Sequence, residues 1–120
     1  MMIVDDSNIV RSRISRLIED PRLSNFSLVG TASNGAEAIK LFTQTSPDMV
    51  TMDLTMPGID GVECTEALME LNPDTRILVI SALSDKATAI NALKKGAQGF
   101  LYKPFSDEEI IDALLEISAE

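Results

Sequence analysis

Three aspartates, a serine and a lysine occur in this sequence at positions where they could carry out chemistry together. Asp5 and Asp6 follow a short apolar run, and Asp53 ends a later one. Ser81 and Lys103 end two further apolar runs. Carboxylates that lie close together repel one another, so either their pKa values rise or a divalent cation neutralises them. An oxygen-only set of ligands favours Mg2+, which keeps several waters and usually takes only a couple of carboxylates.

The elements that must position these residues alternate between strand and helix along the chain. Apolar runs rich in β-branched residues predict strands, and each is followed by a segment with helical periodicity. The predicted strands span residues 1–4, 26–32, 49–54, 77–81 and 99–102. Five such units predict an α/β fold, a five-stranded parallel sheet wound on both faces with right-handed crossovers. Because ligands bind beyond the carboxyl ends of such strands, the polar residues at those ends should meet at one edge.

The predicted helices are marked by caps, breakers and apolar spacing. Ser7 is the expected N-cap of the first helix. Pro21, Pro47 and Gly96 mark the ends of the first, second and fourth helices. The residues expected on the buried faces are Val10, Ile14, Leu17 and Ile18; Ala36, Ile39 and Phe42; Cys64, Leu68 and Leu71; Ala89, Ala92 and Leu93; and Ile110, Ile111, Leu114 and Ile117.

Length and composition exclude several classes of function. The 120 residues suit one domain, spanning 1–120, and no apolar run approaches the roughly 20 residues of a membrane span. With no histidine and a single cysteine, Cys64, the chain lacks the usual zinc ligands and catalytic triads. A net charge of -9 opposes direct nucleic-acid binding. We expect a cytoplasmic protein that contacts neither membrane nor nucleic acid, and the abrupt first strand suggests that natural N-terminal residues precede it.

Four ordered blocks of the sequence resemble the response-regulator receiver domains, the phosphorylated switches of two-component signalling systems. The blocks are Val-Asp-Asp-Ser at 4–7, Asp-Leu-Thr-Met-Pro-Gly-Ile-Asp-Gly at 53–61, Ile-Ser-Ala at 80–82 and Gly-Phe-Leu-Tyr-Lys-Pro-Phe at 99–105. The resemblance covers essentially the whole chain and is strongest to the single-domain chemotaxis regulators. It implies the flavodoxin-like (βα)5 fold with strand order 2-1-3-4-5, which periodicity alone does not supply.

The resemblance also implies a phosphoacceptor and its metal. Asp53 would accept a phosphoryl group from a phosphohistidine of a sensor histidine kinase. Asp6 would bind Mg2+ directly together with Asp53 and the backbone carbonyl of Thr55. Asp5 would contribute through water or by orientation. The chain would thus be a signalling switch that assists its own phosphotransfer and dephosphorylation, and not an enzyme acting on other substrates.

Three further residues would transmit the signal. Lys103 would pair with Asp53 at rest and with a phosphoryl oxygen afterwards, while Ser81 would hydrogen-bond another phosphoryl oxygen. Phe100, three residues before the lysine, matches the switch aromatic of the family, whereas Tyr102 should lie on the side of the sheet opposite Leu101 and Lys103. The resulting change would affect the surface of the fourth helix, fifth strand and fifth helix. The implied target is a protein such as a flagellar motor switch component.

The lifetime of the phosphate follows from two positions that flank the path of an attacking water. Thr55 and Leu83 each lie two residues beyond a site residue and should project over that path. Leu83 cannot orient a water, and one threonine hydroxyl orients it less well than a carboxamide or carboxylate. We therefore expect slow autodephosphorylation.

Plainer explanations exist for each of these residues taken alone. Asp5 and Asp6 could simply cap the first helix, and Ser81 and Lys103 could be ordinary strand-end residues. The combination at one sheet edge is what favours a functional site. A kinase-docking face and a merely solvated one are both open for Arg11, Arg13 and Arg16 on the first helix.

Other functional classes fit the sequence less well. A flavodoxin-like electron carrier needs a Gly-, Ser- and Thr-rich loop after the first strand, where Asp5 and Asp6 would repel its phosphate. A dehalogenase-type aspartyl-phosphate phosphatase requires Asp-x-Asp, but Leu54 and Thr55 follow Asp53. A receiver piece of a longer transcription factor or methylesterase remains open.

Overall fold

The computed structural model describes residues 1–55, 60–82 and 85–119, in which strands and α-helices alternate. The strands are β1 (Met2–Val4), β2 (Gly30–Ala32), β3 (Met49–Asp53), β4 (Arg76–Ala82) and β5 (Gly99–Lys103). The α-helices are α1 (Asn8–Leu17), α2 (Gly35–Thr45), α3 (Gly61–Leu71), α4 (Lys86–Lys94) and α5 (Asp107–Ser118). A short 3-10 helix, Pro21–Leu23, follows α1.

The strands form one parallel sheet in the order β2-β1-β3-β4-β5. This confirms the predicted fold class and strand order. β1 lies between β2 and β3, so that Val4 is level with both Ala32 and Met52. Asp53 is level with Ile80 of β4, and Ala82 is level with Lys103 of β5. The carboxyl ends of the strands therefore meet along one edge, as the sequence predicted.

A separate apolar cluster covers each face of the sheet. Side chains of α2, α3 and α4, including Phe42, Leu68 and Ala92, pack on one face. Side chains of α1 and α5, including Ile14 and Leu114, pack on the other. Because side chains alternate along a strand, β5 contributes to both clusters, Tyr102 to the first and Leu101 to the second. The side predicted for Tyr102 is thereby confirmed.

Each α-helix begins at a polar residue whose side-chain oxygen accepts the backbone N–H of the third helical residue, which satisfies a donor that the helix leaves free. The caps are Ser7, Asn34, Asp60, Asp85 and Ser106. Ser106 forms a capping box with Glu109. None of the helices in the described ranges is long and apolar enough to cross a membrane.

The second strand is shorter than predicted. It begins at Gly30, whereas the apolar pattern indicated residues 26–32. β1 begins to pair with β2 at Met2, opposite Gly30, and the N–H of Val29 bonds only to the carbonyl of Met1. Phe26 instead donates to Leu23 in a turn that continues from the 3-10 helix. A strand is as long as the partner that pairs with it, which the apolar run does not reveal.

Two residues predicted on buried helix faces are exposed. Ala36 lies on the solvent side of α2, where the buried residues are Gly35, Ala38 and Phe42. Leu71, at the end of α3, is 55% exposed. An alanine carries little hydrophobic bias, and a last-turn leucine can extend beyond the sheet, so neither residue determines the face of its helix. The apolar residues predicted for α4 and α5 are buried or partly buried.

Candidate functional site

The carboxyl edge of the sheet carries a compact cluster of acidic side chains. One carboxylate oxygen from each of Asp5, Asp6 and Asp53 lies within 4.8 Å of the others. The cluster forms because β1 and β3 are adjacent, so the turn after β1 faces the last residue of β3. Asp5 and Asp53 are each 1% exposed, whereas Asp6 is exposed. The three carboxylates that the sequence analysis singled out therefore share one site.

The two buried carboxylates are only half satisfied. Asp5 Oδ1 accepts the N–H of Ser7 at 2.9 Å, and Asp53 Oδ1 accepts the N–H of Thr55 at 3.1 Å. Oδ2 of each aspartate is buried and accepts no hydrogen bond from any described residue. A buried carboxylate oxygen without a partner is costly, so this pair of oxygens is suited to a ligand that supplies positive charge.

Lys103 supplies the cation at the end of β5. Its Nζ lies 3.4 Å from Asp5 Oδ2 and 3.6 Å from Asp53 Oδ1. Both distances exceed those of ordinary hydrogen bonds, so the ammonium is attracted to the carboxylates without being fixed by either. One positive charge faces three carboxylates at this site, which leaves room for a divalent cation.

The pKa of the Asp53 carboxyl is raised to about 6. Burial is the main cause, because it penalises the charged form, and the negative charge of Asp5 and the nearby Asp6 carboxyl act in the same direction. The N–H of Thr55 and the charge of Lys103 oppose the rise. The pKa of this buried aspartate therefore lies close to neutral pH.

These residues fit Mg2+. The cluster offers carboxylate oxygens alone, two of them buried without a hydrogen bond from any described residue, and hard oxygen ligands are what Mg2+ requires. Asp5, Asp6 and Asp53 would hold the ion. Thr55 lies beside them through its N–H bond to Asp53, and the role predicted for its carbonyl stays a prediction.

The remaining predicted residues lie near the same edge but do not join the cluster directly. Ser81 is buried in β4, and its hydroxyl approaches only the carbonyl of Ala82, at 3.4 Å. Phe100 is 43% exposed, with its ring centroid 5.1 Å from that of Tyr102. Within the described part of the chain, neither Ser81 nor Phe100 bonds to an aspartate of the cluster. Thr55 is exposed, and its role in water access stays a prediction.

Leu83, the second residue predicted to control water access, lies outside the described residues. The same holds for 56–59, which belong to the second of the four sequence blocks.

Two supporting contacts escaped the sequence analysis. A Cβ at Gly61 would lie 2.3 Å from the carbonyl oxygen of Asp53, so α3 approaches the end of β3 too closely for any side chain. Arg11 Nη1 donates to the carbonyl of Asp5 at 2.5 Å. A glycine directly after the N-cap Asp60 was the available signal for the first contact. The second joins two residues whose types alone do not indicate a partner.

Comparison with known proteins decides the family. Residues 1–115 match the response regulator receiver domain. The chain belongs to this family. A receiver domain of a two-component response regulator is therefore what these strands and helices form, and the resemblance found in the sequence is confirmed.

Receiver proteins of two lengths are similar to this chain. The chemotaxis protein CheY of Listeria monocytogenes is 37% identical over 114 residues, covering 95% of this chain and 93% of CheY. The nitrate/nitrite response regulator protein NarL of Escherichia coli is 34% identical over 119 residues, covering 99% of this chain but 54% of NarL. This receiver domain is thus CheY-like, and it also resembles the receiver portion of a longer regulator.

A solved receiver structure shows the same arrangement. It is a chain of the CheX-CheY-BeF3-Mg2+ complex of Borrelia burgdorferi, with a TM-score of 0.89 and 30% identity. The match covers 99% of this chain and 88% of that one.

Proposed function

We propose that this receiver domain is a Mg2+-dependent switch that is phosphorylated on Asp53 by a sensor histidine kinase. One observation carries the proposal. The Asp53 carboxylate is buried at the end of β3, shares a site with Asp5 and Asp6, and has the ammonium of Lys103 3.6 Å away. A nucleophile, oxygen ligands for a metal and a cation for the transferred group are thereby within reach of one phosphoryl group.

The transfer is an in-line displacement at phosphorus. An oxygen of ionised Asp53 attacks the phosphorus of a kinase phosphohistidine, forming an O–P bond as the P–N bond breaks. The electron pair of the broken bond goes to the imidazole nitrogen, which takes up a proton from solvent. When bound, Mg2+ would offset the charge that develops on the phosphoryl oxygens. Lys103 contributes a second positive charge, with its Nζ 3.6 Å from Asp53 Oδ1.

The other residues support this step. Asp6 is the exposed carboxylate of the cluster and remains our candidate for the main protein ligand of Mg2+. Asp5 is buried and held by Ser7, which suits an orienting role. Ser81 would reach a phosphoryl oxygen once one is present, because among the described residues its hydroxyl has only a weak contact, with the carbonyl of Ala82.

The domain is proposed to be a switch and not an enzyme with a separate substrate. Water hydrolyses the Asp53 phosphate by attacking phosphorus; the O–P bond to Asp53 breaks, and the carboxylate and inorganic phosphate are recovered. The chain therefore modifies only itself. Its output would come from a changed surface on α4, β5 and α5, where Phe100 is already exposed.

Chemotaxis is the proposed pathway. The CheY of Listeria monocytogenes is 37% identical to this chain over 114 residues, and the Borrelia complex pairs CheY with CheX in the presence of BeF3 and Mg2+. A downstream protein such as a flagellar motor switch component is the corresponding target. The likeness to NarL favours a second candidate, in which this domain controls an output domain in a longer regulator. The cytoplasmic location stays a prediction.

Mass spectrometry of the intact protein tests the proposal. Incubation with acetyl phosphate should add one phosphoryl group when Mg2+ is present and almost none with a chelator. Asp53→Ala should abolish the addition and Asp6→Ala should weaken it severely, while Asp112→Ala, an exposed aspartate of α5, serves as the matched control. A phosphoryl group that persists on the Asp53→Ala protein would show that another residue is the acceptor.

The proposed role of Lys103 has its own test. Lys103→Ala should still accept some phosphate but lose the conformational response, because no cation then links the phosphoryl group to β5. Amide chemical shifts of α4, β5 and α5 should change on phosphorylation in the wild type and much less in the variant. Equal changes in both proteins would contradict a coupling role.

A further inference from the structure

Arg13 of α1 binds the turn that connects β5 to α5. Its Nη2 donates to the carbonyl of Phe105 at 2.7 Å. Nε and Nη2 also donate to Asp107 Oδ1 at 3.0 and 2.9 Å. Its Cζ lies 4.6 Å from the centroid of the Phe105 ring. We call this set of contacts, from Arg13 to Phe105 and Asp107, the Arg13 clamp.

The Arg13 clamp begins two residues after Lys103. Phe105 is 6% exposed and packs in the apolar cluster beneath α1 and α5, so its backbone position is tied to the core. The ammonium of Lys103, in contrast, lies 3.4 and 3.6 Å from its partner oxygens, with no hydrogen bond to either. The location of that charge therefore depends on the backbone that carries it. Among the described residues, Arg13 is the side chain that holds this backbone from another helix.

Helix α1 supports both sides of the site. It is capped by Ser7, whose N–H bonds to Asp5, and Arg11 donates to the Asp5 carbonyl. Arg13, two residues further along, bonds to the turn that follows Lys103. Helix α1 and its cap thus contact both the aspartate that follows β1 and the turn that follows Lys103.

The stabilising value of the Arg13 clamp is small, which points to a role in positioning. The Arg13 and Asp107 side chains are 35% and 60% exposed, and ion pairs with such exposure contribute little to stability. A planar guanidinium that bonds a carbonyl and a carboxylate at once nevertheless restricts geometry, which a lysine cannot do equally well.

We propose that Arg13 is a positioning residue that holds the Lys103 ammonium against Asp5 and Asp53. The inference rests on the proposed function, because it concerns the residues that would receive Mg2+ and the phosphoryl group. Without the Arg13 clamp the turn after β5 loosens, and the ammonium spends less time at the carboxylates. Two opposite consequences follow: Mg2+ meets less competition from Lys103, and the phosphoryl group loses part of its charge stabilisation.

Calorimetric titration with Mg2+ alone separates positioning from damage to the fold. Lys103→Ala should tighten Mg2+ binding about tenfold and Arg13→Ala about threefold, since each reduces the positive charge near the carboxylates. The double variant should bind no more tightly than Lys103→Ala. Arg16→Ala removes a charge from the exposed side of the same helix and should change the affinity by less than about 1.5-fold.

The rate of phosphorylation by acetyl phosphate should show the same dependence. Arg13→Ala should slow phosphorylation about threefold when made in the wild type. It should cause no further slowing when made in the Lys103→Ala protein. Arg13→Lys keeps the charge but cannot make all contacts of the Arg13 clamp, and should give smaller changes of the same sign. The Arg13→Lys variant provides the same test if Arg13→Ala does not fold.

Several results would overturn the inference. Weaker Mg2+ binding in Arg13→Ala would indicate general damage to the site. An effect of equal size with and without Lys103 would show that Arg13 acts by another route. No effect at all would show that Arg13 does not position the ammonium. A wild type that binds Mg2+ but takes no phosphoryl group would overturn the proposed function while leaving the calorimetric result to decide on Arg13. A wild type that binds no Mg2+ would overturn both.

Discussion

Gly61 and Asp53 are in backbone contact that excludes any side chain at Gly61. A Cβ at Gly61 would lie 2.3 Å from Asp53 O and 2.4 Å from Leu54 Cα. The N–H of Gly61 bonds to the carbonyl of Leu54 at 3.3 Å, which keeps the start of α3 against the end of β3. The helix that follows the acceptor strand therefore fixes the backbone from which the Asp53 carboxylate projects.

Gly61→Ala should damage the site through this contact. Because backbone atoms must move to admit the methyl group, we expect a loss of about 3 kcal/mol in the free energy of unfolding. We also expect an approximately hundredfold slower phosphorylation by acetyl phosphate, since Asp53 is displaced. Gly30→Ala is the matched control, because its Cβ would meet only the end of the Leu41 side chain, at 2.9 Å. Similar losses in both variants would contradict the importance of the Asp53 contact.

The raised pKa of Asp53 predicts a dependence of stability on pH. Its pKa is about 6 in the fold, against the ordinary aspartate value of 3.8, so the folded state binds the proton more tightly. The stabilisation from the protonated carboxyl is complete below about pH 4 and is lost as the pH rises through 6. In a chelator, the wild type should therefore lose stability relative to Asp53→Asn, by roughly 3 kcal/mol at most near pH 7.

Chemical denaturation of both proteins between pH 4 and pH 8 measures this difference. Saturating Mg2+ should reduce it, because the metal binds the ionised carboxylate of the wild type. A difference that does not change with pH in the chelator would refute the assigned pKa.

The buried hydroxyls of two threonines predict opposite effects of the same substitution. Thr51 is 1% exposed in β3, and its Oγ1 has no hydrogen-bond partner within the described residues. Thr65 Oγ1 donates to the carbonyl of Gly61 at 2.7 Å. Thr51→Val should raise the free energy of unfolding by about 1 kcal/mol, and Thr65→Val should lower it by about 1 kcal/mol. Thermal or urea unfolding tests both, and a destabilised Thr51→Val would mean that its hydroxyl has a partner.

Phosphate lifetime gives a prediction that depends on the sequence more than on the structure. Thr55 is exposed next to Asp53, and Leu83 was assigned to the same water path from its position in the chain. Thr55→Asn combined with Leu83→Glu should speed autodephosphorylation about tenfold, equivalent to about 1.4 kcal/mol of barrier. The measurement is loss of phosphate after removal of acetyl phosphate at fixed Mg2+. An unchanged or slower rate would refute orientation of water by these side chains.

The sequence determined the order of the elements and the strand ends that carry polar residues. Alternating apolar runs and helical spacing are local properties, so the five strands and the N-cap Ser7 followed from short segments. Once the sheet is parallel, its carboxyl ends must share an edge, and the adjacency of β1 and β3 then brings Asp5, Asp6 and Asp53 together. The strand order itself needed resemblance to a family, because local patterns do not specify which strands pair.

Only the tertiary structure decided the length of β2, the buried face of α2 and the contacts between distant residues. β2 begins at Gly30 because β1 begins to pair with it at Met2, and the buried side of α2 is set by what packs against Gly35 and Ala38. Arg13 bonds to Phe105 across 92 positions of sequence, and nothing in the residue types distinguishes that arginine from Arg16. Lys103 reaches Asp53 although β4 lies between their strands. Such contacts depend on distances of a few ångströms between separately packed elements, which arise only when the helices and the sheet come together.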